Sequence, residues 1–234
     1  MKIALLGYGK MGMAVEEVAL QRRHEIVCRV SNDITDYDLT GADVAIDFSI
    51  PDSAFENISL CLKLGIPVIS GTTGWLKKYD DIVSICLEQN GAFIYASNFS
   101  LGVNIFFEIN RKLAAIIGGQ EQYKARIKEI HHTEKLDAPS GTAITLAQDI
   151  IRHSTYENWS SGEDVSEKAI RVSSERIKDV KGTHTVEYTS EVDAIRINHE
   201  AFSRKGFALG AVVAAEWLQG KTGVFSMRDV LNIG

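Results

Sequence analysis

The chain alternates short apolar runs with longer segments whose apolar residues recur every three or four positions. Lys2 to Leu6, Glu25 to Val30, Asp43 to Ser49, Pro67 to Ser70 and Ala92 to Ala96 read as strands. The continuously apolar ones fit strands covered on both faces. Between them lie helical patterns: Met13, Val15, Val18 and Ala19, then a run to Leu64, then Leu76 to Gln89. Pro51 suits the first turn of the second of these helices. Such alternation predicts a Rossmann-like α/β fold, a parallel sheet with helices on both faces. Ligands of these sheets bind at the carboxyl ends of the strands.

From Leu101 the pattern changes. An amphipathic helix, Val103 to Ile117, is stopped by Gly118-Gly119. A strand from Tyr123 to Ile130 and a helix from Thr142 to His153 follow, and the polar stretch Ser154 to Lys168 reads as an exposed loop. Ala169 to Ile177, Thr183 to Ser190 and Ala194 to Glu200 are strand-like and separated by short turns. They predict a second, α+β domain with a mixed or antiparallel sheet on one helical layer. An apolar helix, Phe207 to Leu218, precedes a short mixed tail, Val224 to Leu231. That tail is expected to pack back on the first domain and leave a cleft. The expected domains are therefore 1–100 completed by 207–234, for a dinucleotide, and 101–206, for substrate and oligomer contacts.

Composition narrows the partners. With a net charge of −6 over 234 residues and no basic stripe, no nucleic-acid partner is expected. No apolar run reaches spanning length, so no membrane partner is expected. Met1 to Leu6 leads straight into a strand and a Gly-rich turn, unlike a signal peptide. The three cysteines, Cys28, Cys61 and Cys86, lack CxxC spacing and read as buried thiols of a cytoplasmic protein.

Two stretches carry chemistry. Gly7-Tyr8-Gly9-Lys10-Met11-Gly12 stands between the first strand and the first helix. Its glycines allow a tight turn, close approach of a pyrophosphate and close helix packing, and Lys10 adds a charge near phosphates. This predicts NADPH or NADH as cofactor, touched by Gly7, Tyr8, Gly9, Lys10, Met11 and Gly12. A ribose-binding acid is expected about twenty residues further on. The strand end there reads Ser31-Asn32-Asp33, making Asn32 and Asp33 the candidates and leaving the choice between the two cofactors open. Gly71, Thr72, Thr73 and Ala96, Ser97, Asn98, Phe99 follow later strands and are candidates to line the nicotinamide half.

The second stretch is Glu129-Ile130-His131-His132-Thr133-Glu134-Lys135-Leu136-Asp137-Ala138-Pro139-Ser140-Gly141-Thr142. Ser140 is an N-cap candidate, and the N–H groups of Gly141 and Thr142 behind it form a ready anion cradle. A proton-transfer group, a cation and a carboxylate cradle thus lie together, as a small acidic substrate requires. Successive rings on a strand point to opposite faces, so only one of His131 and His132 need face a site. No cysteine or carboxylate cluster lies nearby at ligand spacing, so no metal is expected.

These residues resemble the dihydrodipicolinate reductase family along nearly the whole chain. His-His-x-x-x-Lys-x-Asp-Ala-Pro-Ser-Gly-Thr is that family's signature, and Gly7 to Gly12, Val44 to Ser49, Gly71 to Gly74, Ser97 to Asn104 and Gly206 to Leu231 also match. The resemblance implies reduction of 4-hydroxy-tetrahydrodipicolinate to tetrahydrodipicolinate by hydride transfer from NAD(P)H with loss of water, in lysine and diaminopimelate synthesis. It implies His131 as general acid/base, Lys135 as proton donor, and His132, Ser140, Gly141 and Thr142 as binders of a small dicarboxylate. It also implies a homotetramer. At Ser31-Asn32-Asp33 the chain departs from the Glu or Glu-Arg of many members.

Two rival readings are weaker. An aldehyde dehydrogenase would need a nucleophilic cysteine at the domain junction, whereas Cys28 falls in a strand and Cys61 and Cys86 in helices. A dinucleotide-binding sensor would not need His131 and Lys135 beside an anion cradle.

Overall fold

The computed structural model describes residues 1–31, 37–162, 166–203 and 205–233. The chain divides into two compact units, Met1–Asn104 with Lys205–Gly234, and Ile105–Arg204.

In the first unit, β1 (Lys2–Leu6), β2 (Glu25–Val30), β3 (Val44–Asp47), β4 (Val68–Ser70), β5 (Ala92–Tyr95) and β11 (Gly223–Phe225) form one parallel sheet. Its spatial order is β11-β5-β4-β3-β1-β2. The tail thus supplies the edge strand, Gly223 to Phe225 pairing with Ala92 to Ile94. Alternation along the central strands feeds two cores. Ile3, Leu5, Ile46 and Ile94 face α1 (Lys10–Gln21) and α6 (Lys205–Leu218), while Ala4, Leu6, Ala45 and Phe93 face α2 (Pro51–Lys63) and α3 (Tyr79–Glu88). Small residues on α6, among them Ala208, Ala211 and Ala215, allow close packing against α1. The helix expected from Leu76 begins as a 3₁₀ turn, Leu76–Lys78, before α3.

The order reverses at β1, which has β2 on one side and β3 on the other. At such a switch point the loops beyond the strand ends diverge and leave a crevice.

The second unit contains most of α4 (Leu101–Ile117), then β6 (Lys124–His131), α5 (Gly141–Ile151), β7 (Asn158–Ser160), β8 (Ala169–Arg176), β9 (Thr183–Thr189) and β10 (Ala194–Glu200). The sheet order is β10-β9-β6-β8-β7. It is mixed: β6 runs parallel to β8 and antiparallel to β9. Ala125, Ile127, Val172, Val186 and Tyr188 pack with Phe106, Ala114 and Ile117 of α4 and Leu146, Ala147 and Ile150 of α5.

The stretch expected to be a loop, Ser154 to Lys168, contains β7, which pairs in parallel with Ala169 to Arg171. A three-residue strand at a sheet edge can stay polar because it needs one ladder and one covered side chain. Trp159, packed against the core, supplies the latter. The expectation failed there because a segment this short shows no periodicity.

Candidate active site

The site in the second unit follows from strand register. Along β6, Ala125, Ile127, Glu129 and His131 share the buried face, which is apolar at one end and ionisable at the other. Glu129 stands opposite Ser174 on β8 and His184 on β9, and His131 stands opposite Arg176. Four polar side chains thereby meet around a fully buried carboxylate, since Glu129 is 0% exposed.

Such a carboxylate must be satisfied by donors. The Ser140 N–H donates to Glu129 at 3.1 Å, and the Ser174 hydroxyl donates at 2.8 Å. Arg176 Nη2 lies 3.7 Å from Glu129, as His184 Nε2 and His131 Nδ1 each do at 3.6 Å. Burial alone would raise the carboxyl's pKa. His184, Ser140 and Ser174 outweigh that effect and hold it at about 2.

At His131 burial prevails. Burial, then the neighbouring His184 charge, pushes its pKa down to about 4 against the pull of Glu129, with Lys135 and Arg176 adding to the depression. The ring is therefore neutral at pH 7. It packs edge-on against His184 with centroids 5.0 Å apart. Its Nδ1 is buried without a hydrogen-bond partner among the described residues, and its Nε2 faces the bare Cα of Gly182, where an added Cβ would stand 3.2 Å away. His132, half-buried at the start of the loop beyond β6, also has a buried Nδ1 without such a partner.

Beyond the strand, the Lys135 ammonium donates to both oxygens of Asp137 at 2.8 Å. Arg176 Nε donates to the Lys135 carbonyl at 3.2 Å and Nη2 to the Asp137 carbonyl at 2.6 Å, which staples the loop to β8. Ser140 is the N-cap of α5, its hydroxyl accepting the Ala143 N–H at 3.2 Å while lying 3.1 Å from His184 Nε2. Its polar atoms are thus engaged within the protein. Gly141 is exposed and Thr142 half-buried at the first turn, where backbone N–H groups lack intrahelical acceptors.

Glu129, Ser174, Arg176, Gly182 and His184 were not visible as site residues in the sequence. Only Glu129 lies close to the signature, two residues before His131, and strand register, which a single sequence does not display, brings the others in. The ligand atoms of Glu129, His131 and His184 lie within 4.8 Å of one another, close enough to share a metal ion.

In the first unit, the dinucleotide candidates gather at the carboxyl ends of β1, β4 and β5. Gly7 has φ +96°, and a Cβ there would stand 2.1 Å from the Phe48 carbonyl oxygen. A Cβ on Gly12 would stand 2.2 Å from the Gly7 carbonyl oxygen. The first turn of α1, capped by Gly9 without any side-chain hydrogen bond, leaves its N–H groups for an anion. These residues fit a dinucleotide pyrophosphate. Lys10 and Thr73 are exposed, whereas Met11 is half-buried against the core.

Thr72 donates to Asp47, as do Ser49 and Ser70, so one buried carboxylate ties the ends of β3 and β4. Burial pushes the Asp47 pKa up against these donors. Of the third candidate group, Ala96 and Asn98 are half-buried and Ser97 is exposed. The Phe99 ring is in the core, edge-on to Phe48, so a cofactor would meet its backbone. Asn32 and Asp33 lie outside the described residues. Tyr8 donates its hydroxyl to Glu16, which also accepts the Arg29 guanidinium, with Nε at 3.1 Å.

Comparison with known proteins gives a consistent picture. Residues 1–99 match the family model described as dihydrodipicolinate reductase, N-terminus, and residues 102–231 match dihydrodipicolinate reductase, C-terminus. The chain is 55% identical to the 4-hydroxy-tetrahydrodipicolinate reductase of Christiangramia forsetii, over 99% of this chain and 98% of that one. It is 36% identical to the enzyme of the same name from Neisseria meningitidis serogroup C, over 87% of this chain and 77% of that one. Its fold resembles the dipicolinate-bound dihydrodipicolinate reductase from Paenisporosarcina sp. TG-14, with TM-score 0.77, 20% identity and 97% of each chain covered.

Proposed function

The chain belongs to the dihydrodipicolinate reductase family, and on that premise we propose how its residues carry out the reaction. It is an NAD(P)H-dependent oxidoreductase that reduces 4-hydroxy-tetrahydrodipicolinate to tetrahydrodipicolinate in lysine and diaminopimelate synthesis. One hydride and one proton enter the substrate and one water leaves. The nicotinamide, when bound, supplies the hydride.

The remaining work is assigned to side chains. Gly7, Tyr8, Gly9, Lys10, Met11 and Gly12 hold the pyrophosphate half of NADPH or NADH, and Gly71, Thr72, Thr73 and Ala96 to Phe99 line the nicotinamide half. Asn32 and Asp33 take the adenosine ribose. The N–H groups of Gly141 and Thr142 hold one substrate carboxylate, with Ser140 fixing the turn and His132 adding a contact. Lys135 delivers the proton that offsets the negative charge left by hydride addition, and His131 serves as acid/base beside it. The observation that carries this reading is a lysine and a histidine at the loop of a capped helix whose first-turn amides are open. Burial holds the His131 ring neutral at pH 7, so the substrate's carboxylates would bring the countercharge that lets it take a proton.

In the same reading, residues 1–100 with 207–234 bind the dinucleotide, while 101–206 bind substrate and form the subunit contacts of a homotetramer. The enzyme works in the cytoplasm. Among the described residues, no helix is long and apolar enough to cross a membrane. An aldehyde dehydrogenase reading finds no activated thiol, because burial pushes the Cys61 thiol up to about 12 and raises Cys28 and Cys86 as well.

The test is steady-state oxidation of NADPH and NADH, run in parallel with the substrate. Turnover with either supports the reading. Folded protein that binds both cofactors and turns over neither overturns it.

A further inference from the structure

Glu129 is the least exposed ionisable group of the second unit's site, and the acid–base roles above leave it without a task. Its surroundings are unusual for a buried carboxylate. Its Oε2 lies 3.6 Å from Nδ1 of His131, and both of its oxygens accept the N–H of Ser140 at 3.1 Å. Ser140 in turn is the N-cap of α5, whose next two amides form the anion cradle. One carboxylate therefore touches both the proton-transfer apparatus and the start of the helix proposed to hold the substrate.

We propose that Glu129 is a positioning residue for the reduction, fixing the His131 ring and the N-terminus of α5 as one unit. The inference rests on the acid/base reading of His131 above. Its physical basis is the charge of the carboxylate 3.6 Å from Nδ1, which acts on the ring without a hydrogen bond between them. A carboxylate behind Nδ1 favours the proton on that nitrogen and stabilises the ring once it is protonated, leaving Nε2 as the atom that exchanges a proton. His184 completes the arrangement, because its Nε2 spans Ser140 Oγ at 3.1 Å and Glu129 Oε2 at 3.6 Å. The charged or titratable groups facing His131 are Glu129 on its own strand, His184 on β9, Arg176 on β8 and Lys135 on the loop. Among these groups only Glu129 is negative, and it opposes the loss of the ring's proton.

The test compares Glu129→Gln, which keeps the shape and removes the charge, with His131→Asn. Each variant is followed by kcat, KM for substrate, the pH dependence of kcat, and calorimetric affinity for 2,6-pyridinedicarboxylate. Glu129→Gln is expected to lower kcat on the order of 10- to 100-fold and weaken the dicarboxylate severalfold. It should also move the limb that reports His131 to lower pH by about one unit, because the anion holding its proton is gone.

Ser174→Ala, which removes one donor to Glu129 at a half-buried position, keeps the inference testable if Glu129→Gln does not fold. It should lower kcat about 3- to 10-fold and leave cofactor affinity unchanged. Wild-type kcat and an unmoved pH limb in folded Glu129→Gln, or in Ser174→Ala if it alone folds, overturn the inference while His131→Asn remains impaired. Full turnover in His131→Asn sinks the acid/base reading itself.

Discussion

The Lys135 ammonium sits 2.8 Å from both carboxylate oxygens of Asp137, two residues further along the same loop. The pair holds the Asp137 pKa below the usual carboxylate range. It also fixes a side chain that would otherwise sample many rotamers, and the Arg176 staple fixes the backbone beneath it. Asp137 is largely exposed, so the contact contributes little to stability. Its effect falls on placement.

Asp137→Asn should therefore leave the melting temperature nearly unchanged and lower kcat about 3- to 10-fold through looser placement of Lys135. Steady-state kinetics beside a thermal melt decide it. An unaltered kcat would show that the ammonium is positioned by the substrate alone.

Gly182 offers a steric prediction. Its φ of +155° disfavours any side chain, and a Cβ would stand 3.2 Å from His131 Nε2. Gly182→Ala should cost about 1 kcal/mol of stability. It should also lower kcat at least roughly 10-fold by shifting the ring or covering its outer nitrogen. If Nε2 takes no part, stability will fall and kcat will not.

Two buried groups of the site, His131 and Glu129, have depressed pKa values and contribute to the acid limb of stability. His131, ordinarily near 6.5 and about 4 when folded, takes its proton first in the unfolded chain. Stability should accordingly fall as pH drops from about 6.5 to 4, by up to about 3 kcal/mol from this group alone. Glu129, lowered from 4.5 to about 2, contributes stability above pH 4.5 that is lost as pH falls towards 2. Denaturant melts between pH 7 and 4 should slope for wild type and slope less steeply for His131→Asn. Equal slopes would show that the ring is not held neutral.

The parallel sheet was legible because its central strands are largely apolar runs and the GxGxxG follows directly on β1. Likewise, the capped helix was legible because Ser140 precedes an apolar-periodic run. β7 was not, since three residues display no period. The hub around Glu129 escaped for a different reason: Ser174 and His184 lie 45 and 55 residues away in sequence and meet it only through the registers of β8 and β9. A lone serine and histidine on strands look like any others until the pairing is known. His131 and His132 could not be ranked either, because only the strand's buried face places His131 with Glu129 and His184.

The most direct test of the central claim is turnover by Lys135→Ala and His131→Ala, measured together with NAD(P)H affinity by fluorescence titration. The account predicts folded variants that bind cofactor as wild type does, with kcat lowered on the order of 100-fold or more for each. Wild-type turnover in both would contradict it, and proton delivery would then have to come from groups other than this lysine and histidine.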